Sequence, residues 1–301
     1  MYNKLSEYGY VDTNTTFKDK TSFKIGGKIK YYIEVYDIDC LIKLIRYLKD
    51  SKIGYFIIGN GTNLLASDDD FNIVVISLKR LNNYYNQENM FMIEAGVNAS
   101  LIGTKITMLG YKNPLCLSLI PGSVGGAIYM NASVYSEEIK KYLYKVEYLD
   151  ELGNINYLDD FSDFSYRHSF FTNKQYIITK GFFKFEKDLN SEAIEILNDA
   201  RRRKKLTQPL NVKCAGSIFK NGKDYVAWKE IKKLDLDNKV VGDAQVSKVH
   251  ANIFINNNAA TFNDMYTLIE DIKKEVFEKS NILLEEEIKI LKPQDIIPYQ
   301  Y

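Results

Sequence analysis

Leu117 to Ser133 reads LSLIPGSVGGAIYMNAS. Three of the chain's 17 glycines, Gly122, Gly125 and Gly126, crowd into this one stretch beside Pro121 and Ser123. A backbone lined with small residues can bring its N–H groups close to something large and anionic. A tight turn opening a helix is an equally good reading of the stretch alone. A second small-residue loop, IIGNGTNLLASDDDF over 57–71, follows directly on the apolar run IGYFIIG at 53–59. Two such loops could face one ligand and cradle a pyrophosphate with peptide N–H groups, with Asn60, Thr62, Asn63 and Ser123 adding neutral donors. Two unrelated structural turns are the alternative. GNGTNL lacks the third glycine of the dinucleotide fingerprint, and no acidic residue stands out on a following strand, which argues against a Rossmann site. Neither loop carries the Gly-Lys-Ser/Thr of a P-loop, which argues against an NTPase.

The bulk properties narrow the partners. A length of 301 residues exceeds what one core usually serves, so two or three domains around a cleft are expected, and 46% hydrophobic residues can fill them. With 40 basic and 39 acidic residues the net charge is +1, which gives no general pull toward nucleic acid or an anionic membrane. Any anion must be met locally. The N-terminal MYNKLSEYGYVDTNTTF has no apolar signal region, and no run approaches the roughly eighteen apolar residues of a membrane span, so a soluble cytoplasmic protein is expected. Cys40, Cys116 and Cys214, with His168 and His250, show no metal-ligand spacing, and no metal site is expected. Cys214 as a thiol nucleophile with His250 as base is a rival reading that lacks a third, orienting partner. Arg201 to Lys205 reads mainly as a solvated helix end, without the interleaved aromatics of a nucleic-acid site.

Along the chain, helix and strand patterns alternate. Asp39 can cap a helix with Leu41, Ile42, Leu44, Ile45 and Leu48 on one face, and IGYFIIG then reads as a buried strand. KVEYLDELGNINYL (145–158) and YIITKGFFKFE (176–186) have the alternation and turn residues of hairpins. Ser191 can cap SEAIEILNDARRRKK, whose basic end suits the helix dipole, and a long helix is predicted from about Asn263. Domains are expected at 1–78, 79–190 and 191–301, with the softest boundary at EKDLNS near 190.

These residues carry a resemblance. Gly59-Asn-Gly-Thr-Asn-Leu-Leu65, followed by Ile120-Pro-Gly-Ser-Val-Gly-Gly-Ala-Ile-Tyr-Met-Asn-Ala132, resembles the FAD-binding domain of the UDP-N-acetylenolpyruvoylglucosamine reductase family, within the flavoprotein superfamily typified by vanillyl-alcohol oxidase. Further similar stretches are TSFKIGG (21–27), SYRHSFF (165–171), AGSIFKN (215–221), GDAQVSKVHAN (242–252) and LEEEIKI (284–290), in family order over nearly the whole chain. The resemblance implies an α+β flavoprotein: a two-part PCMH-type FAD-binding module and a C-terminal α/β domain for the substrate. It also implies a reaction in which NADPH reduces FAD, and the reduced flavin reduces the enolpyruvyl ether of UDP-N-acetylglucosamine to the lactyl ether of UDP-N-acetylmuramate, in peptidoglycan precursor synthesis. FAD contacts are expected at Gly59, Asn60, Gly61, Thr62, Asn63, Leu64, Pro121, Gly122, Ser123, Gly125, Gly126, Asn131 and Ala132.

The implied chemistry needs a cation where an enolate-like charge develops, and a proton donor for the carbon beside the carboxylate. Arg167 matches the first and Ser217 the second. Glu287 matches the glutamate that stabilises the protonated enol form; Glu285 is the residue most easily mistaken for it, since both would lie on one strand face. Lys205 and Asn221 match substrate-binding residues. Only 49 residues separate Arg167 from Ser217, as in the branch of the family that lacks an extra tyrosine-bearing loop. Trp228 to Lys239 lacks the family's usual glycines, and Asp243 stands where glycine is common. The expected partners are a UDP-sugar and NADPH sharing one cleft, with the protein as a monomer. A flavin oxidase acting on an alcohol and a non-catalytic nucleotide-binding module are the alternatives.

Overall fold

The β-branched and aromatic runs of the first half build two five-stranded sheets in the computed structural model, which describes residues 1–112, 114–190 and 192–296. In the first sheet the strands run in the order Gly9–Asp12, Lys28–Val35, Phe71–Ser77, Tyr55–Ile58, with Thr15–Thr16 paired on Lys28–Val35. Its centre is parallel: Phe71–Ser77 lies between Lys28–Val35 and Tyr55–Ile58. The helix Ile38–Asp50 supplies the crossover and buries Leu41, Leu44, Ile45 and Leu48. Its cap is Asp37, not Asp39, because the helix starts earlier than its apolar stripe suggests: the Asp37 carboxylate accepts from the Cys40 N–H at 2.7 Å.

The second sheet is antiparallel throughout, in the order Ile155–Leu158, Leu143–Leu149, Ile177–Lys184, Met90–Glu94, Tyr84–Gln87. The short helix Val124–Tyr129 packs on it where Gly181 leaves room; a Cβ there would meet Ile128 Cδ1 at 2.8 Å. Side chains from both sheets, among them Ile33, Val74, Phe91, Val146 and Phe183, form one core with Leu44 and Ile128 of the two helices.

The rest is helix-rich. Ala193–Thr207 buries Ala193, Leu197 and Ala200. The cap expected at Ser191 lies outside the described residues; the first-turn N–H of Ala193 is taken by Asp188 Oδ2 at 2.8 Å. Phe262–Ser280 opens with a capping box of Thr261 and Asp264 and buries Met265, Leu268, Ile269, Ile272 and Val276 against a three-stranded sheet. Phe23, Ile25 and Leu65 from the N-terminal part complete that core. The late strand Lys289–Leu291 also returns to pair in parallel with Leu64–Ala66. No helix among the described residues is long and apolar enough to cross a membrane. The architecture is α+β, as expected.

Candidate active site

The two glycine loops meet. Thr62 Oγ1 donates to the Pro121 carbonyl at 2.8 Å, and a Cβ added at Gly59 would sit 2.7 Å from Ser123 Oγ. Gly61 holds φ +61°, the left-handed region, and a side chain there would drive into the Lys20 carbonyl at 2.2 Å. Gly122, at φ +151°, faces Thr62 Oγ1. Gly61, Gly122 and Ser123 are buried, yet their peptide N–H groups find no acceptor among the described residues. A buried N–H left so costs about 1–3 kcal/mol. Bare donors on two touching small-residue loops are the cradle that a flavin diphosphate requires. A cavity of about 290 Å³ opens on the first loop at Gly59 and Asn60, with Lys20 and Lys79 in its walls.

The remaining residues of the two loops are occupied within the protein. Gly125 and Gly126 donate to the Ala95 carbonyl and to Ser123 Oγ, and Gly125 is small because Ala95 lies against it. Leu64 and Ala132 are buried. Asn63 Nδ2 donates to the Glu287 carbonyl at 3.1 Å. Asn131, wholly buried, donates to the Ser165 carbonyl (2.8 Å) and Glu138 (3.2 Å) and accepts from the Lys140 N–H. Asn63 and Asn131 thus connect the two glycine loops to what lies beyond them.

Beyond them lies Arg167. Ser165 and His168 exchange two N–H to carbonyl bonds of 3.1 Å, closing a tight turn in which Arg167 takes φ +56°. Arg167 Nε donates to Glu287 Oε1 at 2.6 Å, and Nη1 to Ser133 Oγ at 2.7 Å. The three consecutive glutamates separate cleanly: Glu285 pairs with Lys220, Glu286 with Lys273 at 2.6 Å, and Glu287 with Arg167. Burial pushes the Glu287 carboxyl above its ordinary range; Arg167 opposes this, but burial is the larger influence.

Ser217 is half-buried and its hydroxyl bonds to no other described residue. Its loop is pinned from both sides: the Ile218 carbonyl accepts from the Glu287 N–H at 2.7 Å, and buried Asn252 takes the N–H groups of Ile218 and Phe219. Arg167 and Glu287 therefore pair across 120 positions of sequence, and the Ser217 loop is tied to the Glu287 backbone at Ile218.

A cavity of about 510 Å³ adjoins this site, lined by Ser133, Tyr135, Lys204, Trp228, Lys248 and His250. Lys205 is exposed and faces away; Lys204 lines the cavity and donates to the Leu119 carbonyl. Helical spacing carries the signal: Ala193, Leu197, Ala200 and Lys204 continue one face, and Lys205 is turned from it. Asn221 is exposed, its side chain accepting from the Ala227 N–H and its own N–H reaching the Tyr166 hydroxyl at 3.4 Å, beside Arg167. Burial lowers the His250 imidazole, whose ring lies 6.1 Å from Trp228. No hydrogen bond among the described residues joins His250 to Cys214, which leaves the thiol reading without its base. Nothing in the sequence pattern pointed to Ser133.

Comparison with known proteins gives the family. Residues 29–158 match the FAD binding domain family, and residues 208–291 match the C-terminal domain of UDP-N-acetylenolpyruvoylglucosamine reductase. The chain is 38% identical over 295 residues to a UDP-N-acetylenolpyruvoylglucosamine reductase of Caldanaerobacter subterraneus, covering 97% of this chain and 98% of the relative. It is 36% identical over 271 residues to that of Thermotoga maritima, covering 90% and 95%. The crystal structure of the Thermus caldophilus reductase superposes with a TM-score of 0.81 at 26% identity, over 94% of this chain and 100% of that one. An FAD-binding domain, a reductase C-terminal domain and this degree of likeness along nearly the whole chain establish that the protein belongs to the UDP-N-acetylenolpyruvoylglucosamine reductase family of oxidoreductases.

Proposed function

We propose that this protein is a cytoplasmic, monomeric, FAD-dependent enzyme that uses NADPH to reduce UDP-N-acetylglucosamine enolpyruvate to UDP-N-acetylmuramate for peptidoglycan synthesis. The observation that carries the reading is the 2.6 Å Arg167–Glu287 pair, set beside the Ser217 loop and next to a lysine-lined cavity. FAD held by the two glycine loops would supply the hydride.

Arg167 keeps N–H groups beyond those given to Glu287 and Ser133, and a guanidinium grips a carboxylate with paired bonds while staying charged. As the enolpyruvyl group is reduced, negative charge grows on the carbon beside the carboxylate and on its oxygens. A preorganised donor at such a place is worth roughly 10² to 10³ in rate. Glu287, its carboxyl pushed up by burial, lies beside this donor and would hydrogen-bond those oxygens when protonated. Ser217 delivers the proton to the carbon, a step for which a positioned acid is worth roughly 10² to 10⁴. Lys204 and Lys248 suit a diphosphate, with Lys205 and Asn221 at the periphery. Both NADPH and the UDP-sugar carry diphosphates, so one cavity used in turn, with ping-pong kinetics, follows.

The test separates the half-reactions. Purified protein should be yellow, should bleach on anaerobic NADPH, and should recolour on adding the enolpyruvyl substrate. Ser217→Ala should leave bleaching within about threefold of the parent and slow recolouring at least about a hundredfold. Equal loss of both steps would remove Ser217 as proton donor. Rapid recolouring by dioxygen alone would favour an oxidase, and colourless protein that takes up no FAD would favour a nucleotide-binding module.

A further inference from the structure

We infer that Ser133 is a positioning residue for Arg167, fixing the guanidinium so that it receives a substrate carboxylate instead of turning fully onto Glu287. This rests on the reading of Arg167 as the carboxylate-binding group. Glu287 holds Nε at 2.6 Å and Ser133 holds Nη1 at 2.7 Å, so two neighbouring nitrogens of one rigid plane are fixed from two directions. Without Ser133 the plane is free to rotate and to offer Glu287 a second N–H. A carboxylate receives two parallel N–H bonds from arginine readily, and a guanidinium so engaged has less to give a ligand.

The support behind Ser133 is specific. It opens a small hairpin in which Ser133–Val134 pairs with Glu137–Glu138. The hairpin turns through Tyr135 and Ser136, both left-handed at φ +51° and +66°. Residues without glycine's freedom hold that conformation only where their surroundings impose it. The surroundings are visible: Tyr142 hydrogen-bonds Glu137, and Glu138 takes Lys140 and Asn131. Asn131 also donates to the Ser165 carbonyl, the residue that opens the Arg167 turn. One buried amide thus spans the two turns whose side chains meet at 2.7 Å, and Ser133 itself faces the large cavity.

The experiment uses FAD-loaded protein and the variants Ser133→Ala and Ser133→Thr. Ser133→Ala should raise KM for the enolpyruvyl substrate about tenfold, and Ser133→Thr, which keeps the hydroxyl, should return it to within about threefold of the parent. UDP, which has no carboxylate, should bind all three proteins alike when titrated against the flavin spectrum, and NADPH should bleach all three at rates within about twofold. An unchanged KM in Ser133→Ala, equal losses in the two variants, or an equal loss of UDP binding would overturn the inference while leaving the proposed reaction standing. A parent that never recolours with the enolpyruvyl substrate would instead overturn the proposed reaction, and this inference with it.

Discussion

The two glycine loops are made of backbone, whereas the Arg167 site is made of side chains, and the two fail in different ways. The loops depend on where glycine permits a left-handed residue or a close contact, as at Gly61 against the Lys20 carbonyl. The Arg167 site depends on groups delivered by four separate stretches, at 133, 167, 217 and 287, each tied back by its own hydrogen bonds. Disturbing the first should remove the cofactor; disturbing the second should leave a coloured protein that reacts poorly.

Substitutions test that contrast. The largest effect is expected from Gly61→Ala, which adds left-handed strain of about 1–2 kcal/mol to a collision with fixed backbone. A total loss of about 3 kcal/mol or more and no retained FAD are expected, read by thermal unfolding and visible absorbance. A yellow Gly61→Ala protein of unchanged stability would erase the distinction. Asn131→Ala comes next, because it strips partners from Ser165, Glu138 and Lys140 at a wholly buried site. A cost of about 3 kcal/mol is expected from unpaired groups of this kind.

Glu287→Gln should keep FAD and stability near the parent while changing the dependence on pH. Burial raises the Glu287 carboxyl above 4.5, so folding favours its protonated form, and the parent loses stability as pH climbs through the raised value. The glutamine variant does not titrate there, so its stability relative to the parent should grow with pH. Recolouring by substrate, which in the parent should slow over the same rise, should be slower in the variant and flat. A parent profile that does not fall with pH would show that no Glu287 proton is used. The smallest effect belongs to Gly110→Ala: this glycine is also left-handed, at φ +80°, but nothing lies within 4 Å of the added carbon. About 1 kcal/mol of strain alone is expected, with full FAD content. A loss as large as that of Gly61→Ala would mean that strain, not collision, governs the loop.

The same contrast explains what could be read in advance. Both loops are contiguous, so their glycines and the strand before the first one are visible in the chain, as are the amphipathic stripes of Ile38–Asp50 and Phe262–Ser280. Family resemblance supplied Arg167, Ser217 and Glu287, and selected Glu287 from three adjacent glutamates that periodicity alone does not tell apart. Ser133 was not legible, because nothing local marks a serine whose importance lies 34 positions away. Lys204 was legible in principle from the stripe it extends, but a family match by spacing selected its neighbour Lys205. Asp37 displaced Asp39 as a cap for a simpler reason: two aspartates bracket the helix start, and only the outer one lies before it.

The pairing of Lys289–Leu291 with Leu64–Ala66, together with the Asn63 bonds to Glu287 and Lys289, has a consequence for biosynthesis. During translation at about 5–20 residues per second, the first glycine loop waits more than ten seconds for the segment that clamps its exit strand. A ribosome that stops short of residue 287 releases a polypeptide missing both the clamp and the acidic partner of Arg167. Aborted products should therefore be unable to sequester FAD in a half-working state, and proteases should find them open.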